Sequence, residues 1–305
     1  MADTAIEWTD RVWNPTTGCD RISPGCDNCY ALTLAKRLKG MDQAKYQNDG
    51  DPRTSGPGFA LTVHPDTLDT PLRWRKPSKV FVNSMSDLFH PQVPAEFIGR
   101  VFDVMARTPQ HTYQILTKRP QAMAKALGPS GCGFYAVEGP VPCPQPNVWL
   151  GTSIENDRYA FRADHLRRTP AAVRWLSLEP LLGPLPSLSL EGIDWVVVGG
   201  ESGPGARPMH RSWVRDIRDR CEAAGVPFFY KQAGEWASYT DGELGAAALD
   251  QGRPEVVLTA DGALLGPDDP CDIEREPSLL LRVGKKAAGR TLDGRTWDQY
   301  PEAGA

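Results

Sequence analysis

Short continuous apolar runs such as Trp195-Val196-Val197-Val198 recur along the chain, each ending in small or polar residues and most followed by a segment of helical character. Runs without alternation suit strands covered on both faces, and such strands belong to parallel sheets flanked by helices. The expected strands are Ala60–His64, Lys79–Ser84, Thr112–Thr117, Asn147–Thr152, Val173–Leu178, Ile193–Gly199 and Val226–Tyr230. Between them the helical candidates are Asn28–Lys39, Ala95–Arg107, Pro120–Leu127, Arg158–Arg168 and Ser212–Ala224, with Ser212 as a cap and Gly225 as a stop. With the segment before Cys19 as a first strand, this alternation predicts an α/β fold: a TIM-like (β/α) barrel, complete or partial.

The barrel is expected over residues 1–233, with a surface loop rich in Gly and Pro inserted at 128–146 that contains Cys132 and Cys143. Residues 234–305 read as a small acidic C-terminal appendage, with Glu255–Leu265 as a hairpin turning at Asp261-Gly262. Charge follows this division. The stretch Glu235–Leu281 carries −9, which leaves +5 for the rest of a chain whose net charge is −4. That excess is compatible with a phosphate-bearing partner. The start MADTAIEWTD lacks a signal-peptide layout, and no apolar run reaches the roughly 20 residues of a membrane span, so a cytoplasmic protein without a membrane partner is expected.

Three of seven cysteines, Cys19, Cys26 and Cys29, fall in a C-x6-C-x2-C loop between the first strand and the first helix. Thiols at such spacing converge on one metal centre in a reducing compartment. Three ligands leave one iron of a cubane open, whereas a structural zinc site closes with four. Zinc completed by a distant Cys221 or His210 is the alternative. The other expected strand ends also deliver polar groups to one rim: Ser84, Ser86 and Asp87, then Thr117-Lys118-Arg119, Thr152-Ser153, Glu179, Glu201 and Lys231-Gln232. Barrel active sites form at that end, although strand-end polarity also serves capping. Gly199-Gly200-Glu201-Ser202-Gly203 lacks the spacing of a nucleotide loop and fits either a ligand contact or a tight turn. Arg211, Arg215 and Arg218 share one helix face, suited either to phosphates or to pairing with Asp219 and Glu222. Trp74, among Arg73, Arg75 and Lys76, suits base stacking or core cover.

Together, Ile6-Glu7-Trp8-Thr9-Asp10, Trp13-Asn14-Pro15, the three-cysteine loop, Phe81–Phe89, Leu116–Pro120, Leu150–Ser153, Leu178-Glu179-Pro180, Gly199–Gly203 and Leu292–Trp297 resemble a phage-associated three-Cys-motif family of largely unassigned function. More distantly, Ser84-Met85-Ser86-Asp87 with Leu116-Thr117-Lys118 is similar to radical S-adenosylmethionine (SAM) enzymes of the spore photoproduct lyase type. In this chain the first gap of the cysteine loop has six residues, where that group has three. The resemblance implies a 4Fe-4S cluster on Cys19, Cys26 and Cys29 and a SAM site at Ser84, Ser86 and Asp87, with Thr117, Ser153, Glu179 and Glu201 as further candidates for SAM or substrate. It implies a 5'-deoxyadenosyl radical, an electron donor, and a nucleic-acid substrate, DNA over RNA, in repair or modification. Two other classes stay open: an iron-sulfur DNA-binding or regulatory protein without SAM cleavage, and a zinc-dependent hydrolase with Glu201, Glu155 or Glu179 as general base.

Overall fold

The computed structural model describes residues 4, 6–128, 144–244, 252–266, 268–270 and 272–302. The inserted loop with Cys132 and Cys143 lies almost wholly outside them. Chain order gives β1 (Arg11–Trp13), β2 (Thr16–Thr17), α1 (Tyr30–Gly40), β3 (Thr62–Val63), β4 (Lys79–Val82), α2 (Ala95–Ala106), β5 (Thr112–Thr117), α3 (Pro120–Leu127), β6 (Val148–Ser153), α4 (Arg162–Arg167) and β7 (Val173–Leu178). There follow β8 (Trp195–Gly199), α5 (Arg211–Ala224), β9 (Phe228–Gln232), β10 (Trp236–Ser238), β11 (Glu255–Leu258), β12 (Leu264–Leu265), β13 (Ser278–Arg282), β14 (Thr291–Leu292) and β15 (Arg295–Thr296).

Among the described residues the main sheet has seven strands in the order β1-β4-β5-β6-β7-β8-β9. The order never reverses. A doubly wound sheet changes direction at a switch point, whereas sequential order with right-handed crossovers is the winding of a (β/α) barrel, here a partial one. The chain divides into two units, 1–153 with 162–176 and 302–305, and 154–161 with 177–301.

In the first unit β1 pairs with β4, β4 with β5 and β5 with β6, all parallel. Helix α2 shows why the segment is helical: Phe97, Val101 and Phe102, with Ile98 and Met105, form an inward stripe at three- and four-residue spacing, behind Pro94 at the cap and Glu96 in the first turn. On the sheet, Trp8 sits edge-on to Phe81 and to Trp175, at 4.8 and 5.2 Å between ring centroids. Gly151 makes room for this cluster, because a Cβ there would lie 2.4 Å from the Trp175 ring.

In the second unit β8 pairs parallel with β9. The C-terminal segment covers β9: Tyr230 N donates to Trp297 O, Gln299 N donates to Phe228 O, and Tyr300 stacks on Trp195 at 5.2 Å. A covered edge offers no template for another chain's strand. The acidic segment forms an antiparallel sheet in the order β10-β13-β11-β12, and the Asp261-Gly262 turn closes the β11–β12 hairpin.

Several sequence expectations are corrected. Ala60–His64 contributes only Thr62–Val63, which pairs antiparallel with Thr16–Thr17 and stands outside the main sheet. Leu61, Thr62 and Val63 are only half-buried, so the segment lacks the two covered faces of a strand in the parallel stack. Arg158–Arg168 divides into a 3-10 turn at Asp157–Tyr159 and α4, with buried Arg162 donating to Ser153 O. Strand β9 begins at Phe228 rather than Val226, since Pro227 has no N–H for the ladder. Helix α5 is capped by His210, whose imidazole accepts from Ser212 N, so Ser212 lies inside the helix. Gly225 does end α5, in the left-handed conformation at φ +66°.

The arginine face of α5 is ion-paired. Buried Arg211 bonds Glu243 and the Tyr230 hydroxyl, Arg215 bonds Asp241 and Asp293, and Arg218 bonds Asp293 and Asp219. Trp74 likewise has neighbours, with the Arg11 guanidinium 5.0 Å from its ring centroid and His111 edge-on at 5.8 Å.

Because Gly151 and Trp175 have no slack between them, Gly151→Ala should destabilise the chain by about 1–3 kcal/mol or more through overpacking. Denaturant unfolding of the two proteins measures this, and equal midpoints would show that the Trp175 ring has room to move.

Candidate functional site

The cysteine loop lies between β1 and α1 and is held from several directions within the first unit. Gly18 begins it at φ +87°, and a Cβ there would sit 2.1 Å from Ala60 O. Only glycine permits that backbone approach. Gly18 N donates to Met85 O at 2.9 Å, and the Ser86 hydroxyl donates to Gly18 O at 2.9 Å. Cys26 N donates to Ser23 O, Cys29 N donates to Cys26 O, and Leu32 N donates to Cys29 O as α1 begins. Cys19 and Cys29 pack against a small apolar cluster of Ala31, Ala35, Phe59 and Met85. Cys26 is within electrostatic reach of both.

Burial pushes the Cys19 thiol up to about 12, Asp87 adding to the effect and Arg119 opposing it. Burial also raises Cys29, against backbone hydrogen bonds from α1 and the nearby Lys118 charge. As bare thiols both keep their protons at neutral pH, so the thiolate form has to be drawn out by a bound cation.

Arg119, just beyond β5, joins the loop to the sheet. One guanidinium nitrogen donates to Cys19 Sγ at 3.4 Å and to Asp87 Oδ2 at 3.2 Å, and the other donates to Asp20 O at 3.3 Å. Burial disfavours the Arg119 cation, but Asp87 and Cys19 more than compensate, and its pKa is raised. Asp87 also accepts from the Thr117 hydroxyl at 2.7 Å, Lys118 N at 3.1 Å and Phe89 N at 3.0 Å. Beside Cys19, Asp20 accepts from the Ser55 and Thr54 hydroxyls at 2.6 Å each and meets His90 Nε2 at 2.8 Å. Those hydroxyls, with His90, hold its carboxyl down to about 2.

The candidates of the first unit lie in this network. Ser84 is bound by Asn14, whose Oδ1 accepts from Ser84 N at 2.8 Å; Ser86 accepts from the Thr16 hydroxyl at 2.8 Å. Asp87 and Thr117 bond each other, and Ser153 ends β6, buried, its carbonyl taken by Arg162. Ser84, Ser86, Asp87 and Thr117 thus spend hydrogen bonds on building the loop. Asn83 is different. Its amide nitrogen donates to Thr16 at 2.9 Å, but its Oδ1 is buried and has no hydrogen-bond partner.

The candidates of the second unit are ion-paired there. Glu179 meets Lys231 Nζ at 2.6 Å above Gly199, and Glu201 accepts from Arg207 N, Nε and Nη2 at 2.9, 2.8 and 2.6 Å, closing its own loop. Glu155 is fully buried. Neither proposed fourth zinc ligand is open: Cys221 is buried in α5, and both ring nitrogens of His210 are engaged, by Ser212 and Glu276 O.

Sequence reading passes over Asn14, Thr16, Asp20, Asn83 and His90 as site residues, and offers Arg119 only as part of a polar strand end. The adjacency of Asp20 to Cys19 and of Asn83 to Ser84 is the available signal. Among the described residues, no group of three or more His, Cys, Asp and Glu side chains is already arranged to hold a metal ion. The donor chemistry nevertheless fits an anionic thiolate centre, with three thiols on one loop, an Arg119 N–H on one sulfur and the Lys118 charge near another.

A family model described as a protein of unknown function, DUF5131, matches residues 3–301. The chain belongs to that family. No curated protein matches this DUF5131 member. Among solved structures it is similar to a cysteine-to-serine variant of spore photoproduct lyase, with 12% identity and a TM-score of 0.42 over 72% of this chain and 63% of that one. It is also similar to spore photoproduct lyase complexed with dinucleoside spore photoproduct, with 12% identity and a TM-score of 0.37 over the same shares. The DUF5131 chain therefore spans less than two thirds of these structures. No helix among its described residues is long and apolar enough to cross a membrane.

Removing Arg119 leaves buried Asp87 without its cation, so Arg119→Gln should cost on the order of 2–4 kcal/mol. A double-mutant cycle with Asp87→Asn, read by denaturant unfolding, should give a coupling above roughly 1 kcal/mol. Additive losses would mean that the two groups hold the loop independently.

Proposed function

We propose that this DUF5131 member is a radical-SAM-like iron-sulfur enzyme in which Cys19, Cys26 and Cys29 ligate a 4Fe-4S cluster. The observation that carries this reading is the three-thiol loop after the first strand of a sequentially wound parallel sheet, with Arg119 donating to the Cys19 sulfur. When bound, the cluster and SAM would supply one-electron cleavage of SAM and hence hydrogen abstraction from a substrate. The chain's own residues then have separate tasks. The cysteines bind iron, Arg119 favours negative charge on Cys19, and Lys118 does the same for Cys29. Asn83 Oδ1 is a buried acceptor of the kind an ammonium group satisfies. Ser84, Ser86 and Asp87, besides orienting the loop, are the proposed SAM residues, with Thr117, Ser153, Glu179 and Glu201 as the further proposed SAM or substrate residues.

The proposed substrate is nucleic acid, DNA over RNA, in repair or modification. This is supported by the lyase-like sequence at Ser84–Asp87 and by the +5 carried outside Glu235–Leu281. The proposed organisation is a barrel body over 1–233 and an acidic appendage over 234–305, in the cytoplasm, where thiols stay reduced. A one-electron donor is required from outside.

Anaerobic reconstitution should load about four irons per chain, and Cys26→Ala should lose them. The EPR signal of the reduced protein should change on adding SAM, and 5'-deoxyadenosine should form. A single bound zinc, or a cluster indifferent to SAM, would end this reading.

A further inference from the structure

The segment Arg73-Trp74-Arg75-Lys76 takes no part in the site proposed above. Arg73 ends a 3-10 turn that starts at buried Pro71, and the chain then enters β4 at Lys79. Trp74 is held on several sides. Its N donates to Pro71 O at 3.0 Å, its carbonyl oxygen meets His111 Nε2 at 3.2 Å, the His111 ring is edge-on at 5.8 Å, and the Arg11 guanidinium lies 5.0 Å from its ring centroid. Asp10 N donates to Lys79 O and Thr112 N donates to Ser78 O, each at 3.0 Å, so the starts of β1, β4 and β5 meet here and place these residues on one end of the sheet within the first unit. Arg73, Arg75 and Lys76 are exposed, Arg11 is half-buried, and none of the four makes an ion pair among the described residues. Residues 10–11 and 69–79 hold five cations and two acids, an excess of +3 in a chain whose net charge is −4.

Cations gathered without acid partners repel one another, and a polyanion relieves that repulsion. Guanidinium groups match phosphate oxygens in a forked geometry. No large aliphatic side chain is exposed among these residues, whereas a membrane surface or a protein partner calls for apolar anchors as well. Strands β4 and β5 run parallel, so their starts lie at the opposite end from Asp87 and Arg119, roughly 13–20 Å away at about 3.3 Å per residue. We infer that Arg11, Arg73, Arg75 and Lys76, set around Trp74, bind the phosphodiester backbone of a nucleic acid irrespective of its sequence. This contact is separate from any that a substrate makes with the proposed site, and it stands whether or not the thiols hold iron. Where that site acts on the same polymer, the contact raises the local concentration of target nucleotides.

The test uses the full chain and a fluorescent duplex oligonucleotide of arbitrary sequence, with Kd read by anisotropy over a range of salt. Arg73→Ala/Arg75→Ala/Lys76→Ala should weaken binding about tenfold or more at low salt and reduce the slope of log Kd against log salt by about 2. The unfolding midpoint should be unchanged, because all three side chains are exposed. Equal Kd values and slopes in the two proteins would overturn the surface and leave the radical-SAM reading untouched. Binding of the wild-type chain to phosphatidylserine vesicles, with none to the oligonucleotide, would overturn it in favour of a membrane surface. If reconstitution yields no cluster while oligonucleotide binding persists and depends on these three cations, the iron-sulfur reading falls and this one stands.

Discussion

The Asp87 carboxylate accepts from the Thr117 hydroxyl, two backbone amides and the Arg119 guanidinium, and through Arg119 it ties the cysteine loop to the sheet at Cys19 and Asp20. A buried carboxylate that accepts this many hydrogen bonds avoids the cost of leaving its oxygens unpaired. Because Thr117 ends β5 and Lys118 and Arg119 follow it, the carboxylate ties the end of β5 to the segment after β4. Arg119 then has a fixed origin from which it reaches both Cys19 Sγ and Asp20 O. Orientation thus passes from sheet to carboxylate to guanidinium to sulfur, each step a charge-assisted contact in a partly dry environment. Asp20 repeats the pattern on a smaller scale, its two hydroxyl donors and His90 securing the residue after Cys19.

Much of the fold is legible in the sequence, because continuous apolar strands and amphipathic helices state their burial directly. Val80-Phe81-Val82 and Trp195–Val198 are wholly buried, as their composition requires. What misleads is local: Thr62-Val63 has strand propensity without a face to bury, and Pro227 removes the donor on which an earlier start of β9 depends. The arginines of α5 show a further limit. Periodicity places Arg211, Arg215 and Arg218 on one face, but Asp293 and Glu243, which neutralise them, arrive from far along the chain, and spacing contains no information about that.

The candidate site is legible to a different degree. Cysteine spacing announces where the thiols gather, since Cys19, Cys26 and Cys29 lie within eleven positions of one loop. Polar strand ends do not, because a serine that binds a ligand and a serine that ties down a backbone look alike in one sequence. In the structure Ser84 and Ser86 are tied to Asn14, Thr16 and Gly18, residues about seventy positions earlier that parallel pairing of β1 with β4 brings alongside. Register decides which polar side chain is spent on the fold.

Asn83 is where that expenditure stops. Its neighbour Ser84 is satisfied, Thr16 takes its amide, and its carbonyl oxygen stays buried and unpartnered. Such an acceptor costs about 1–3 kcal/mol of desolvation if nothing ever meets it. Other buried amides are in the same state, among them Gln114 Oε1 on β5 and Gln232 Oε1 at the end of β9. Asn83 differs from these in its place: it sits between Thr16 and Ser84, next to the strand end that meets the three-thiol loop, and the closed hydrogen bonds of its neighbours hold it there.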